Sequence, residues 1–167
     1  VLKALFENAA ITKIGQNIKF DIMVLNRLGI EVRGHKIDTM LLHYLIDSES
    51  RHNMNFLAER YLSYEPIAIE SLIGKGAKQL TMDMVNVERV AEYAAEDADV
   101  TLRLKQILYK EVMEQGMMDL YRHIEEPMID LLADMEYEGV RIDTEALNRY
   151  AVELRALLAQ LEEEVRT

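Results

Sequence analysis

Glycine and proline punctuate this chain so seldom that little but helix fills the intervals between them. There are seven glycines and two prolines in 167 residues, and apolar residues recur at three- and four-residue steps over long stretches, the spacing of a helical face. That spacing predicts helices over 2–9, from Asn17 to Leu28, from Asp38 to Ile46, from Asn55 to Leu62, from Val87 to Glu114, from Met118 to Glu138 and from Asp143 onward. Asn17, Asp38 and Asp143 stand where N-caps belong, and Gly29, Gly116 and Gly139 stand where helices stop. Pro127 is expected to kink or restart the helix it interrupts. Two short β-branched runs, Ile11–Ile14 and Ile30–Val32, are the strand candidates, few for an α/β domain. Ser63–Leu80, with Pro66, Gly74 and Gly76, reads as a loop holding one helical turn.

Composition narrows the function. Half the residues are hydrophobic, which excludes wholesale disorder, and charges interrupt every apolar run well short of membrane-spanning length. The absence of cysteine removes disulfides, thiolate metal sites and cysteine nucleophiles, and fits a reducing compartment. The chain opens Val1-Leu2-Lys3 without Met and reads as a piece of a longer protein. The net charge is −11, but residues 1–80 carry ten Lys/Arg against nine Asp/Glu, whereas 81–167 carry nine against twenty-one. Charge alone therefore makes no case for wrapping a polyanion. It does not exclude an enzyme that meets only a strand end.

Two acids break the apolar pattern. In the long helix, Val90, Ala94, Thr101, Leu104 and Leu108 form a stripe, and Asp97 falls on it. A carboxylate facing a core is costly unless a cation, a metal or several donors compensate it. Tyr93 lies one turn earlier on the same face. The plain alternative for Asp97 is a buried acid satisfied by backbone donors; Asp99, by contrast, pairs at i,i+4 with Arg103 on the outer face. The second acid is Asp21, in a helix so apolar around Ile18, Phe20, Ile22, Met23, Val24 and Leu25 that it should be buried on all sides. Asn17 precedes Asp21 by four residues, either as a simple cap or as a partner. Isolated acids on two helices suit hard divalent cations, which take oxygen ligands.

Several segments in order carry a more specific signal: G-Q-N-I-K-F-D (Gly15–Asp21), D-T-M (Asp38–Met40), R-H-N-M (Arg51–Met54), L-A-E-R (Leu57–Arg60), G-K-G (Gly74–Gly76) and Y-A-A-E-D-A-D-V-T (Tyr93–Thr101). They resemble the 3′–5′ proofreading exonuclease domain of the bacterial DNA polymerase I family, the family A polymerases. I-E-E-P-M-I (Ile124–Ile129) and M-E-Y-E-G-V-R-I-D (Met135–Asp143) resemble the junction into the polymerase domain, and the last helix resembles its first thumb helix. The resemblance implies an α/β, ribonuclease H-like exonuclease fold over 1–116, mostly helical here, and a connector with the first thumb helix over 117–167.

The resemblance also implies a chemistry. Two divalent cations, Mg²⁺ or Mn²⁺, held by four carboxylates hydrolyse the 3′-terminal phosphodiester of single-stranded DNA, activating water and clamping the in-line transition state. Asp21 and Asp97 match two of those ligands. Tyr93 would orient the attacking water, and Asn17, Gln16, Lys19 and Phe20 would lie along the strand; Phe20 stands where many relatives carry Tyr. The Asp-x-Glu that supplies the other two carboxylates, on the first strands of such folds, has no counterpart in this sequence. With half the ligands missing, the chain alone is expected to bind cations weakly or not at all and to be inactive. Cytoplasmic, nucleoid-associated residence follows from the same likeness, with no membrane role.

Other chemistry is poorly supported. His35, His43, His52 and His123 lack the spacing of a zinc site, with His52 in a helix-start loop reading as structural, and no nucleophile elbow, Walker loop or dinucleotide fingerprint occurs. The ten methionines read as core fillers. The last helix carries Leu147, Tyr150, Leu154, Leu157, Leu158, Leu161 and Val165 in a near-heptad stripe, from which self-association through 144–165 is expected. The competing readings are a ribonuclease D-like exonuclease, which lacks the Met135–Asp143 junction, and a non-catalytic helical interaction module.

Overall fold

The computed structural model describes residues 2–76 and 79–166. The chain divides into two compact units, Val1–Tyr137 and Glu138–Thr167. In chain order the first contains α1 (Leu2–Phe6), β1 (Lys13–Gly15), α2 (Ile18–Arg27), β2 (Lys36–Asp38), α3 (Thr39–Ile46), α4 (Met54–Leu62), α5 (Glu70–Ile73), α6 (Val87–Glu114), the short α7 (Met118–Leu120) and α8 (Glu126–Glu138), whose last residue falls in the second unit. Mostly helix with a small parallel sheet, it bears out the coarse expectation. Among the described residues no helix is long and apolar enough to cross a membrane.

The sheet differs from the sequence reading. β1 and β2 pair in parallel with Lys13 opposite Lys36, Ile14 opposite Ile37 and Gly15 opposite Asp38, and α2 makes the crossover between them. The second strand is therefore Lys36–Asp38, not Ile30–Val32. Val32 is buried but lies in irregular chain; β-branching signalled burial there rather than a ladder. The first helix ends at Phe6 instead of residue 9. The loop beyond Ser63 holds its one turn as α5, while Ala77 and Lys78 lie outside the described residues.

Two apolar clusters hold the first unit together. In the larger, Leu42 of α3, Leu57 and Ala58 of α4, and Val100, Leu104, Leu108 and Val112 of α6 close around Tyr121. Asn86 caps α6 by accepting the Glu88 N–H at 2.8 Å, and the helix runs 28 residues to the turn at Gly116, whose φ of 71° is left-handed. In the smaller cluster, Ile18 and Ile22 of α2 pack with Val32 on Ile129 and Ala133 of α8. A π-helical turn, Tyr121–Glu125, precedes Pro127 in the first turn of α8. Proline has no N–H to continue the ladder, so the restart expected there occurs.

Ion pairs add specificity where α8 meets the sheet. The buried Lys36 ammonium reaches Asp130 at 2.8 Å, and Glu126 accepts the Lys36 N–H at 2.9 Å. In the second unit, α9 (Thr144–Arg166) starts on the Asp143 carboxylate, which accepts the Ala146 N–H at 2.9 Å. No residue of α9 is buried, and its stripe is open to solvent.

Candidate functional site

The site begins where β1 turns into α2. A Cβ on Gly15 would stand 2.9 Å from the Ile18 Cβ, so glycine lets the helix start this close to the strand. Asn17 takes a left-handed conformation, φ 57°, tolerable for asparagine. Its side chain does not cap α2, so the simple-cap reading fails. Asp38 caps the helix instead: its carboxylate accepts the N–H groups of Asn17 at 3.0 Å and Ile18 at 2.9 Å, and also that of Met40 at the start of α3 at 2.9 Å.

α2 is not buried on all sides, contrary to its composition. Ile18 and Ile22 are buried, but Phe20 is 62% exposed, and Val24 and Asp21 are open. The Ile18 and Ile22 face of the helix packs on Val32 and on Ile129 and Ala133 of α8, and another face borders a pocket. The same correction applies to α6, where Ala94 and Ala98 are exposed and burial begins at Val100.

That pocket, about 830 Å³, brings Asp21 and Asp97 together in one lining with Gln16, Phe20 and Leu102. Tyr93, Asn17 and Lys19 are outside the lining. Asp97 is half-buried, and its Oδ1 has no hydrogen-bond partner, so the alternative of a backbone-satisfied acid fails for that oxygen. Burial pushes the Asp97 carboxyl above the usual carboxylate range, while the Tyr93 phenol nearby opposes this. Partial desolvation raises Asp21 as well, although the residue is open to solvent, with the nearby Asp38 charge adding to it.

Two of the other sequence candidates are already engaged. Gln16 donates to the His52 carbonyl at 2.7 Å and accepts from the Thr39 hydroxyl. Lys19 forms an ion pair with Glu136 of α8. Asn17 and Phe20 are exposed.

An orphaned, half-buried carboxylate oxygen in a pocket that a second carboxylate also lines offers the oxygen chemistry that suits a hard cation. Among the described residues no group of three or more His, Cys, Asp or Glu is placed to hold a metal ion. Asp38 is what the sequence reading missed. The D-T-M segment announced a cap for α3, but a second helix capped from 21 residues downstream leaves no local signal.

Residues 1–113 match the 3′–5′ exonuclease family model of the family A DNA polymerases. The chain is 40% identical over 165 residues to DNA polymerase I of Rhizobium leguminosarum, covering 98% of this chain and 16% of that protein. It is 41% identical to DNA polymerase I of Pseudomonas aeruginosa, covering 96% and 18%. It thus spans about a sixth of the length of these curated relatives. Among solved structures, the POL domain of Pol1 from M. smegmatis, in complex with DNA primer-template and dNTP, superposes with a TM-score of 0.74 at 22% identity, over 93% of this chain and 24% of that one. The chain belongs to the 3′–5′ exonuclease family of DNA polymerase I.

Proposed function

We propose that this chain is the C-terminal part of a proofreading exonuclease domain of ribonuclease H-like type, 1–116, running into a connector and first thumb helix, 117–167, of a cytoplasmic, nucleoid-associated DNA polymerase I. Its substrate is the single-stranded 3′ end of DNA. The observation that carries the reading is the convergence of Asp21 and Asp97 on one pocket with Asp97 Oδ1 unpartnered.

In this reading Asp21 and Asp97 hold divalent cations, Mg²⁺ or Mn²⁺. Such cations, when bound, make a nucleophile available from water at neutral pH and offset charge in the in-line transition state. Tyr93, one helical turn before Asp97, orients the water. The exposed Asn17 carboxamide and Phe20 ring meet the terminal nucleotide, the ring by stacking. Gln16 supports the floor of the site through His52 and Thr39. Lys19 reaches the strand only by leaving Glu136. Two carboxylates do not complete a two-cation site, so the chain alone is inactive and binds cations weakly. The open stripe of α9, with Leu147, Leu154 and Leu161 each 44–56% exposed, is proposed to pair with a second copy.

The test follows cleavage of a 3′-labelled single strand as Mg²⁺ or Mn²⁺ is added. This chain is compared with one extended upstream through an Asp-x-Glu strand. Cutting by the extended chain alone, abolished by Asp97→Ala, supports the reading. Cutting by this chain unaided refutes its count of ligands. Cutting by neither favours a non-catalytic module.

A further inference from the structure

The most heavily committed buried acid in the molecule takes no part in the proposed chemistry. Asp38 is 2% exposed and ends β2 opposite Gly15 in the parallel register. Its Oδ1 accepts the N–H of Asn17 and of Met40, and its Oδ2 accepts the N–H of Ile18. Its own N–H donates to the Tyr121 hydroxyl at 2.8 Å, and that hydroxyl donates to the Lys36 carbonyl at 3.2 Å. The N-termini of α2 and α3 therefore meet on one anion, where both helix dipoles favour negative charge, and the anion is fixed to the sheet by a buried tyrosine.

An ordinary N-cap belongs to the helix it caps and moves with it. The cap of α2 belongs to β2, so the first turn of α2, with Asp21 in it, is pinned to the sheet edge rather than to its own chain. The substitution of caps also releases the Asn17 side chain, which stands exposed in its left-handed turn. We infer that Asp38 is the positioning residue of the site: it sets Asp21 toward Asp97 and frees the Asn17 carboxamide for the strand end. This rests on the exonuclease reading of the pocket.

The test uses this chain with Asp38→Ala, and Asp38→Asn, of the same size, should the alanine variant not fold. Amide hydrogen exchange is read at Asn17 and Ile18, with Leu104 and Leu108 as fold controls. Exchange at the first pair is expected to rise about tenfold or more while the controls stay unchanged. Line broadening of the Asp21 and Asp97 amide signals by added Mn²⁺ is then followed in both proteins, and the variant is expected to need several-fold more Mn²⁺ at both residues. Unchanged exchange at Asn17 and Ile18 overturns the clamp. Faster exchange with an unchanged Mn²⁺ dose reduces Asp38 to a helix cap. No broadening in the unsubstituted chain refutes the cation reading itself, a failure distinguishable from the other because the exchange arm needs no metal.

Discussion

The two ends of α6 carry the same apolar spacing and live in different surroundings. From Val100 to Val112 the stripe lies under α3 and α4, and Leu104, Leu108 and Val112 are fully buried. From Val87 to Asp99 the same face is half-open, and at Asp97 it borders the pocket shared with α2. Periodicity dictates which residues share a face, and tertiary cover decides whether that face is core or site. In this helix stability and candidate chemistry occupy successive lengths of one stripe.

The largest break in this contrast should come from the covered end. Leu104→Ala is expected to cost about 2–5 kcal/mol in denaturant unfolding, the range for a fully buried leucine. Leu102→Ala, at a residue 46% exposed beside the pocket, should cost about 1 kcal/mol or less. Equal losses would erase the distinction. Next in size is Tyr121→Phe, which leaves the buried Asp38 N–H and Lys36 carbonyl without the hydroxyl they share; about 1–3 kcal/mol is expected by the same measurement.

The core also contains a pH-sensitive histidine that sharpens the comparison. His43 of α3 is fully buried, with its Nδ1 2.8 Å from the His52 Nδ1. Burial, then the facing His52 and Arg60, hold its imidazole pKa below the ordinary value of 6.5, against a smaller opposing pull from Asp47. A depressed basic group is neutral in the fold, so the unfolded chain binds more protons as pH falls. Stability contributed by His43 is complete above the ordinary imidazole pKa and is lost as pH falls through it. Thermal midpoints should drop from pH 7 to pH 5 in the unsubstituted chain, and less in His43→Asn. The smallest effect is expected at the site: Asp97→Asn relieves an unsatisfied carboxylate and should stabilise the fold at neutral pH by about 1 kcal/mol or less. A marked destabilisation would make Asp97 a structural acid.

Much of this contrast was legible in the sequence. The caps at Asp38 and Asp143, the 28-residue helix and the restart near Pro127 follow from local chemistry. Asp21 and Asp97 stood out because each breaks an apolar pattern. What local chemistry does not carry is cover. Phe20 and Val24 read as core because α2 is apolar on most sides, yet only its Ile18 and Ile22 face is covered. The strand at Lys36–Asp38 was hidden by its lysine and aspartate, which are buried because Asp130 and the helix N-termini satisfy them. Long-range pairing of polar groups is the part that spacing along a chain cannot encode.

The central claim is that Asp21 and Asp97 hold cations in one pocket. The most direct measurement is a Mn²⁺ titration of the Asp21→Asn variant, following paramagnetic broadening of the Asp97 amide signal. The account predicts that broadening at Asp97, present though weak in the unsubstituted chain, disappears with Asp21, and that Asp97→Asn does the same to Asp21. Broadening at Asp97 that persists unchanged without the Asp21 carboxylate would contradict it.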